Sequence, residues 1–315
     1  DVCGLFAILG LSMALARRAF FRPARLENAM QDWLLAPTLL LILCQGFCLE
    51  GVRLVVTNDP FASWSPVGNA VGRALAAMLP AGALRPLHAF TWWFHLITVL
   101  ALMAALPYTK LRHVFTAPLN IWFRPLEARG AVLAPIDLDT AQAFGAKSID
   151  GLPLKALMDL DACTECGRCQ DACPAYASGK PLSPKKLVFD LRDLLHARRD
   201  GAPDDDKLLP DRIGEEALWA CTTCMACMEA CPVFIEHVPK IVEMRRYLVM
   251  EEGRFPETMQ QSARNLESRG HPFAGASMSR TDWARGLDVR VLKEGDSADY
   301  LYWVGCATAM NAQIG

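Results

Sequence analysis

The sequence lacks an excess of either charge: 34 acidic residues face 32 basic ones, and the formal net charge is −2. A chain without a basic field cannot hold a polynucleotide electrostatically, so nucleic-acid partners are excluded. Charged residues are also missing from three long stretches, 2–16, 33–49 and 91–109, and each is about long enough to cross a bilayer core. Since 52% of the chain is hydrophobic, these stretches predict a multi-pass membrane domain.

The beginning of the chain lacks the order of residues that a targeting peptide has. An apolar run starts directly after Asp1 and basic residues follow it, whereas a secretory signal begins with its basic residues. Because no methionine opens the chain, we expect a fragment whose first apolar run continues upstream.

Basic residues are divided unevenly between the loops. Four arginines lie between residues 17 and 25, and Lys110 and Arg112 follow the third apolar stretch, whereas the loop from 57 to 88 has only two arginines. The positive-inside rule therefore places the first loop and the segment after the third helix in the cytoplasm. In the outer loop, VGNAVGRALAAML fits either an interfacial helix or a helix packed against the bundle.

From about residue 125 the composition is that of a soluble protein. Pro184, Pro239 and Pro256 stand at the starts of segments that end near glycines, as helices do. ADYLYWVGC alternates and is rich in aromatic residues, which predicts a strand. The predicted fold is mainly α: a membrane helical bundle, an α-helical domain and the start of an α/β domain. The predicted boundaries are 1–124 for the membrane domain, with helices at about 1–16, 33–56 and 89–107, then 125–154 for a linker, 155–285 for the helical domain and 286–315 for the truncated third domain.

The strongest motif is a run of four cysteines followed by proline, C-x2-C-x2-C-x3-C-P, which occurs twice among the 12 cysteines. Three thiolates at this spacing bind one [4Fe–4S] cluster, while the fourth ligates the cluster of the other run. Structural zinc also uses C-x2-C pairs but has no reason to repeat the proline, so we favour iron–sulfur ligation. The predicted ligand sets are Cys163, Cys166, Cys169 and Cys231 for the first cluster, and Cys221, Cys224, Cys227 and Cys173 for the second.

Two histidines are candidates for haem ligation. His95 and His113 stand at opposite ends of the third predicted helix, and 18 residues at 100° each return to the same face, about 27 Å along a straight helix. Pro107 lies between them and is expected to kink the helix. Imidazole is a common axial ligand of haem, and ionisable residues in membrane helices are usually functional. From spacing alone, an interfacial role for His113 and a helix–helix hydrogen bond for His95 stay open. No Ser/His/Asp arrangement or carboxylate pair stands out, so catalytic residues are unassigned.

Residues 1 to about 125 resemble the gamma, cytochrome b subunit of respiratory nitrate reductases, most clearly in WWFHLITVLALMAALPYTKLRHVFTAP. The resemblance implies that His95 and His113 ligate haem b, as one haem or two. That family has five membrane helices, and its partner histidines lie on the second helix. This chain would therefore hold at most half of the axial ligands and would need the absent upstream helix.

Residues 155 to 250 resemble iron–sulfur subunits related to heterodisulfide reductase, in LDACTECGRCQDACPAYASGKPLSPKKL and WACTTCMACMEACPVFIEHVPKI. In that group YWVGC, here Tyr302 to Cys306, opens a cysteine-rich domain with CCG-type motifs. The resemblance implies that Cys306 is the first ligand of a further iron–sulfur centre, in a domain that is truncated here.

The combined order resembles fused membrane oxidoreductases of the electron-transfer flavoprotein:quinone type. It implies an enzyme of the inner (cytoplasmic) membrane with its iron–sulfur domain in the cytoplasm. Electrons would pass between electron-transfer flavoprotein, or a similar soluble redox protein, and a quinone through two [4Fe–4S] clusters and haem b. Two alternatives stay open: a heterodisulfide reductase-like thiol/disulfide oxidoreductase, and a non-catalytic electron-transfer anchor subunit.

Overall fold

The structure is a computed structural model that describes residues 1–127, 133, 135–141, 143–202, 207–273 and 279–310. The chain forms two compact units. The first comprises residues 1–141 and 145–244, and the second comprises residues 142–144 and those from 245 onward. Helices are the regular elements of both units, and the described residues contain no β-strand.

The N-terminal part of the first unit contains three helices long and apolar enough to cross a membrane, as predicted. Few of their side chains are buried within the protein, as is expected of side chains that face lipid. The helices of this part are α1 (Val2–Ala16, continued by a π-turn at Arg17–Phe21), α2 (Met30–Thr57), α3 (Pro66–Met78), α4 (Ala81–Ala105) and α5 (His113–Trp122).

Helix α3 packs directly against α2, which decides between the two interpretations of the outer loop in favour of packing. The contact is made by glycines: a Cβ added to Gly72 would overlap the carbonyl oxygen of Gly51. Gly51, Gly68 and Gly72 are all buried. Small residues allow the two backbones to approach closely, as in other membrane helix pairs.

Replacing Gly72 with alanine is therefore expected to force α2 and α3 apart, because the obstructing atoms are backbone. We expect a loss of about 1–3 kcal/mol of stability, the usual cost of overpacking. The measurement is the melting temperature of the detergent-solubilised protein. Gly10→Ala is the matched control, since a Cβ there has nothing within 4 Å. Equal melting temperatures for the two variants would contradict the close contact.

The sequence predicts that one helix carries both His95 and His113, and this prediction is wrong. Helix α4 ends at Ala105, and 3-10 turns at Leu106–Tyr108 and Lys110–Arg112 separate it from α5. His113 is the first residue of α5, so it does not share a continuous helix face with His95. Pro107 lacks the amide hydrogen that another turn of α4 would need, which accounts for the break.

The rest of the first unit is a set of short helices around the two cysteine runs. Ser183 caps one of them by accepting a hydrogen bond from the Lys186 amide (3.2 Å), as its sequence predicts. The helices are α6 (Leu154–Ala162), α7 (Arg168–Asp171), α8 (Pro174–Ala177), α9 (Pro184–Arg199), α10 (Leu209–Ile213), α11 (Glu215–Ala220), α12 (Ala226–Glu229) and the first part of α13 (His237–Met250).

The second unit contains the end of α13, then α14 (Glu257–Arg269) and α15 (Cys306–Met310). The strand predicted at ADYLYWVGC is not formed: residues 301–305 are irregular and α15 begins at Cys306. A strand needs a neighbouring strand to pair with its backbone N–H and C=O groups, and the described residues offer none.

Candidate iron–sulfur and haem sites

The structure brings Cys231 to the three leading cysteines of the first run, as crossed ligation requires. Burial raises the pKa of Cys163 to about 11, and the nearby thiol of Cys231 contributes to the rise. The pKa of Cys169 is also raised, first by burial and then by Cys163 and Cys231 among its cysteine neighbours. Four neighbouring thiols of this kind form a ligand set that fits an iron–sulfur cluster, which binds its cysteines as thiolates.

The second group is built in the same way from the other run and Cys173. The pKa of Cys227 is raised to about 12. Burial is the largest cause, and the charges of Cys221 and Cys173 come next. These three cysteines and Cys224 line a common small cavity. Within the described residues no three ligating side chains are packed closely enough for a single metal ion. Ligation of a [4Fe–4S] cluster by either group stays a prediction.

The two runs repeat the same unusual backbone. Glu165 and Thr223, each two residues after the first cysteine of its run, have φ of 57° and 55°. Gly167 and Met225, each four residues after it, have φ of 75° and 63°. Left-handed conformations are costly for residues other than glycine and tend to mark functional loops.

Backbone amides in the second run and just after it donate to sulfur. The Thr223 amide donates to Cys221 Sγ and the Ile235 amide donates to Cys231 Sγ, each at 3.4 Å. Hydrogen bonds to cluster sulfurs are one of the means by which a protein sets the potential of the cluster. The thiols and the amide donors both fit the predicted clusters.

Beside Cys231 lies a buried ionic network that the sequence did not indicate. The side chains of Asp159 and Lys240 form an ion pair, and both are 0% exposed. Asp159 also accepts from Lys155 Nζ (2.7 Å), Asn120 Nδ2 (2.9 Å) and the Glu236 amide (3.0 Å). Burial alone would raise the pKa of Asp159, but its two lysines lower it. The only local signal is the i,i+4 spacing of Lys155 and Asp159, which is common on exposed helix faces.

His237, at the start of α13, makes the stability of this region depend on pH. Burial, together with the charge of Lys240, lowers its pKa from 6.5 to about 4. The unfolded chain would take up a proton below pH 6.5 while the folded chain would not, so stability falls as the pH drops through this window. The expected loss is about 1 kcal/mol between pH 7 and 5.5 and about 3 kcal/mol by pH 4.

Chemical denaturation at several pH values measures this loss, with His237→Gln as the variant. Glutamine does not titrate, so we expect the pH dependence to flatten below pH 6.5. His271→Gln is the control, because it removes another buried histidine ring. An unchanged slope in His237→Gln would show that another group takes up the proton.

His113 lies beside the first cysteine group. It lines a cavity of about 350 Å³ together with Cys163 and Cys166, and residues of α1 and α2 close the other side. Its Nδ1 is 2.6 Å from the carbonyl oxygen of Lys110. A ring that donates from Nδ1 keeps the lone pair of Nε2 free, and metal-ligating histidines have this arrangement.

His95 lies on α4 and its ring is turned toward α2. A Cβ placed on Gly46 would be 3.9 Å from His95 Cε1, so a glycine faces the imidazole. The Nδ1 atom of His95 is buried and has no hydrogen-bond partner among the described residues. A buried polar atom without a partner calls for a ligand or water, so the ring of His95 has an unused nitrogen for either. The structure does not bring His95 and His113 together.

Charged residues join the membrane helices to the loop of the first cysteine run, and sequence reasoning missed them. Lys110 Nζ is 3.0 Å from Asp32 Oδ2 and 2.5 Å from Glu165 Oε2. Burial alone would lower the pKa of Lys110, but these carboxylates raise it. Nearby, Arg112 Nη1 is 2.9 Å from Asp161 Oδ1. Lys110 and Arg112 were recognised from the sequence only as topology signals.

Cys306 begins α15 in the second unit. Its Sγ accepts a hydrogen bond from Arg280 Nη1 at 3.4 Å. It is the only cysteine among the described residues of that unit. Its role as a ligand stays a prediction.

Comparison with known proteins finds two families along the chain. Residues 1–128 match the nitrate reductase gamma subunit family, and residues 159–235 match the 4Fe-4S dicluster domain family. No solved structure matches the chain.

Several curated proteins are similar to the chain. An EtfAB:quinone oxidoreductase of Syntrophomonas wolfei is 33% identical over 99% of this chain and 49% of its own length. A probable iron-sulfur-binding oxidoreductase, FadF, of Bacillus subtilis is 30% identical over 97% of this chain and 49% of its own length. One of the subunits of the dihydromethanophenazine:CoB--CoM heterodisulfide reductase of Methanosarcina barkeri is 31% identical over 52% of this chain and 42% of its own length. The chain thus spans about half the length of the curated relatives that it matches throughout.

Proposed function

We propose that the chain is part of a fused membrane iron–sulfur oxidoreductase and carries electrons between a soluble cytoplasmic donor and a membrane quinone. The order of its modules supports this, because a nitrate reductase gamma-type membrane module is joined to a 4Fe-4S dicluster domain. Electron-transfer flavoprotein is the proposed donor, because the relative from Syntrophomonas wolfei is named for that reaction. The proposed membrane is the inner membrane.

One observation carries the proposal: His113 and the cysteines Cys163 and Cys166 line the same cavity. A membrane-side ligand and a cluster ligand are thus neighbours, as an electron path between the two modules requires. The pairs Lys110–Glu165 and Arg112–Asp161 support a cytoplasmic iron–sulfur domain, because they join it to the basic side of the membrane module.

The proposed cofactors are two [4Fe–4S] clusters on the crossed cysteine sets and one or two haems b. When bound, haem and cluster each exchange one electron at a time. His113 would hold haem iron through Nε2, because its Nδ1 faces the Lys110 carbonyl and fixes the orientation of the ring. His95 would hold a second haem through its ring, which faces Gly46 of α2.

The test is an anaerobic redox titration of the full-length protein extracted from membranes, followed by absorbance and low-temperature electron paramagnetic resonance (EPR). We expect haem b bands and two [4Fe–4S] signals. Reduced electron-transfer flavoprotein should then reduce a quinone analogue through the protein. Cluster signals without haem bands would refute the roles of His95 and His113 and leave a membrane-bound ferredoxin.

A second candidate is thiol/disulfide chemistry, which the similarity to part of a heterodisulfide reductase favours. This candidate differs from flavoprotein-dependent quinone reduction in its electron donor, which would be a dithiol. Reduction of the clusters by a dithiol, with no reduction by the flavoprotein, would establish this alternative and overturn the proposal.

A further inference from the structure

The two cysteine groups differ in what surrounds them, and the difference bears on the order of electron transfer. The loop of the first group touches the membrane module directly. Gly167 has φ of 75°, and a Cβ there would lie 2.6 Å from the carbonyl oxygen of Arg25. Lys185 Nζ donates to the same carbonyl at 2.9 Å. The loop between α1 and α2 therefore rests on the first cluster loop.

Glu165 fixes this contact from within the loop. It lies between Cys163 and Cys166, and its carboxylate pairs with Lys110 on the membrane side (2.5 Å) and with Arg192 of α9 (2.8 Å). Ion pairs between half-buried groups are weak singly, but shared partners in a network restrict relative movement. The first cluster loop is thereby held against the segment that precedes His113.

The fourth ligand of the first group is tied to the helix of His113. Asn120 is fully buried on α5, and its Nδ2 donates to the carbonyl oxygen of Val233, two residues after Cys231, at 2.9 Å. Asn120 follows His113 by seven residues, which is two turns and about 10 Å along one helix face. Helix α5 therefore links the loop of Cys231 to the proposed haem ligand.

The surroundings of the second group come from the iron–sulfur domain itself. Its cavity is lined by Cys173, Cys221, Cys224 and Cys227 and by apolar residues of the iron–sulfur domain such as Leu182 and Ile241. Thr222, Thr223 and Cys224 are exposed. A soluble protein can approach this loop.

From this asymmetry we propose that the two clusters act in series. The donor reduces the second cluster, and the first cluster delivers the electron to the cofactor on His113. The second cluster is the one held by Cys221, Cys224, Cys227 and Cys173, and the first is the one held by Cys163, Cys166, Cys169 and Cys231. The inference rests on the proposed function. Each transfer moves one electron and no proton: the second cluster is oxidised by one electron as the first is reduced by one. The first cluster is then oxidised by one electron as the haem is reduced by one.

The test uses full-length protein and reduced electron-transfer flavoprotein, with rapid freezing for EPR and stopped-flow absorbance for haem. In Cys166→Ser, we expect reduction of the second cluster and loss of haem reduction. In Cys224→Ser, we expect neither the first cluster nor haem to be reduced by the flavoprotein. Haem reduction that survives in Cys166→Ser would overturn the proposed order.

If the wild-type protein does not accept electrons from the flavoprotein, the proposed donor is refuted. A second measurement then still tests the order of the two clusters. A nitroxide is attached at residue 21 by Phe21→Cys, with the non-ligand cysteines replaced. The native side chain is 79% exposed and lies four residues before Arg25, whose carbonyl oxygen meets the first cluster loop. Pulsed EPR after chemical reduction then compares the distances from the nitroxide to the two clusters. The first cluster should be nearer, and a nearer second cluster would overturn the proposal.

Gly167→Ala tests the contact itself. The added methyl group would meet the Arg25 backbone, so we expect slower reduction of haem while both cluster signals persist. Gly179→Ala is the matched control, because Gly179 has φ of 76° but open space around its Cβ position. Equal haem reduction rates in the two variants would show that the contact does not position the first cluster.

Discussion

Replacing Cys231 with serine is expected to abolish or strongly alter the signal of the cluster that Cys163, Cys166 and Cys169 hold, although Cys231 belongs to the other run. The reason is geometric, since Cys231 is one of the neighbours that raise the pKa of Cys163 and Cys169. The cluster of Cys221, Cys224, Cys227 and Cys173 should persist, because Cys173 takes the fourth position there.

EPR of the reduced protein and iron analysis measure this result. Iron should fall by up to about four atoms of the eight that two clusters contain. Cys231→Ala is a second variant, because alanine offers no oxygen as a substitute ligand. Cys3→Ser is the control, since Cys3 is exposed on α1 and outside both runs. Loss of the second cluster with survival of the first would contradict crossed ligation.

The features predicted correctly from the sequence are those that a local pattern encodes. Absence of charge over a bilayer length predicted the membrane helices, and Ser183 followed by Pro184 predicted the start of α9. The cysteine spacing also predicted the crossed ligand sets. The neighbours of Cys163 and Cys227 fit those sets, and ligation itself stays a prediction.

The features that were missed depend on contacts between distant residues. Asn120 donates to Asp159 and to Val233, 39 and 113 residues away, and neither contact has a sequence signature. The error over His113 has a local cause, because the helix is not merely kinked at Pro107: it ends, and two 3-10 turns precede His113. The prediction of a strand at ADYLYWVGC was wrong because a strand is stabilised by a partner strand that its own sequence does not specify.

The largest stability change is expected from Asp159→Asn. The substitution removes the anion that faces Lys240 while the amide keeps the size of the side chain, so a buried ammonium group is left without a counter-charge. Breaking one partner of a buried ion pair costs about 3–5 kcal/mol. The pKa of Asp159 is lowered in the folded chain, so its stabilising effect is complete at pH 7 and is lost only as the pH falls through that lowered value.

Denaturation of the full-length protein at pH 7 measures the effect, and Asp190→Asn is a matched control. Asp190 also pairs with a lysine four residues before it, but that lysine, Lys186, is 68% exposed. An exposed pair of this kind contributes at most about 0.5 kcal/mol. Similar stabilities for Asp159→Asn and Asp190→Asn would show that water reaches Lys240 in the folded protein.

The double variant Asp159→Asn with Lys240→Met separates the cost of the stranded charge from that of the lost hydrogen bonds. Methionine removes the buried ammonium group, so the double variant should be more stable than Asp159→Asn alone. Recovery should be incomplete, because Lys155 still loses the carboxylate that lies 2.7 Å from its Nζ. If the double variant is no more stable than the single one, the network acts through the hydrogen bonds of Asp159 to Asn120 and Glu236, and the charge of Lys240 contributes little.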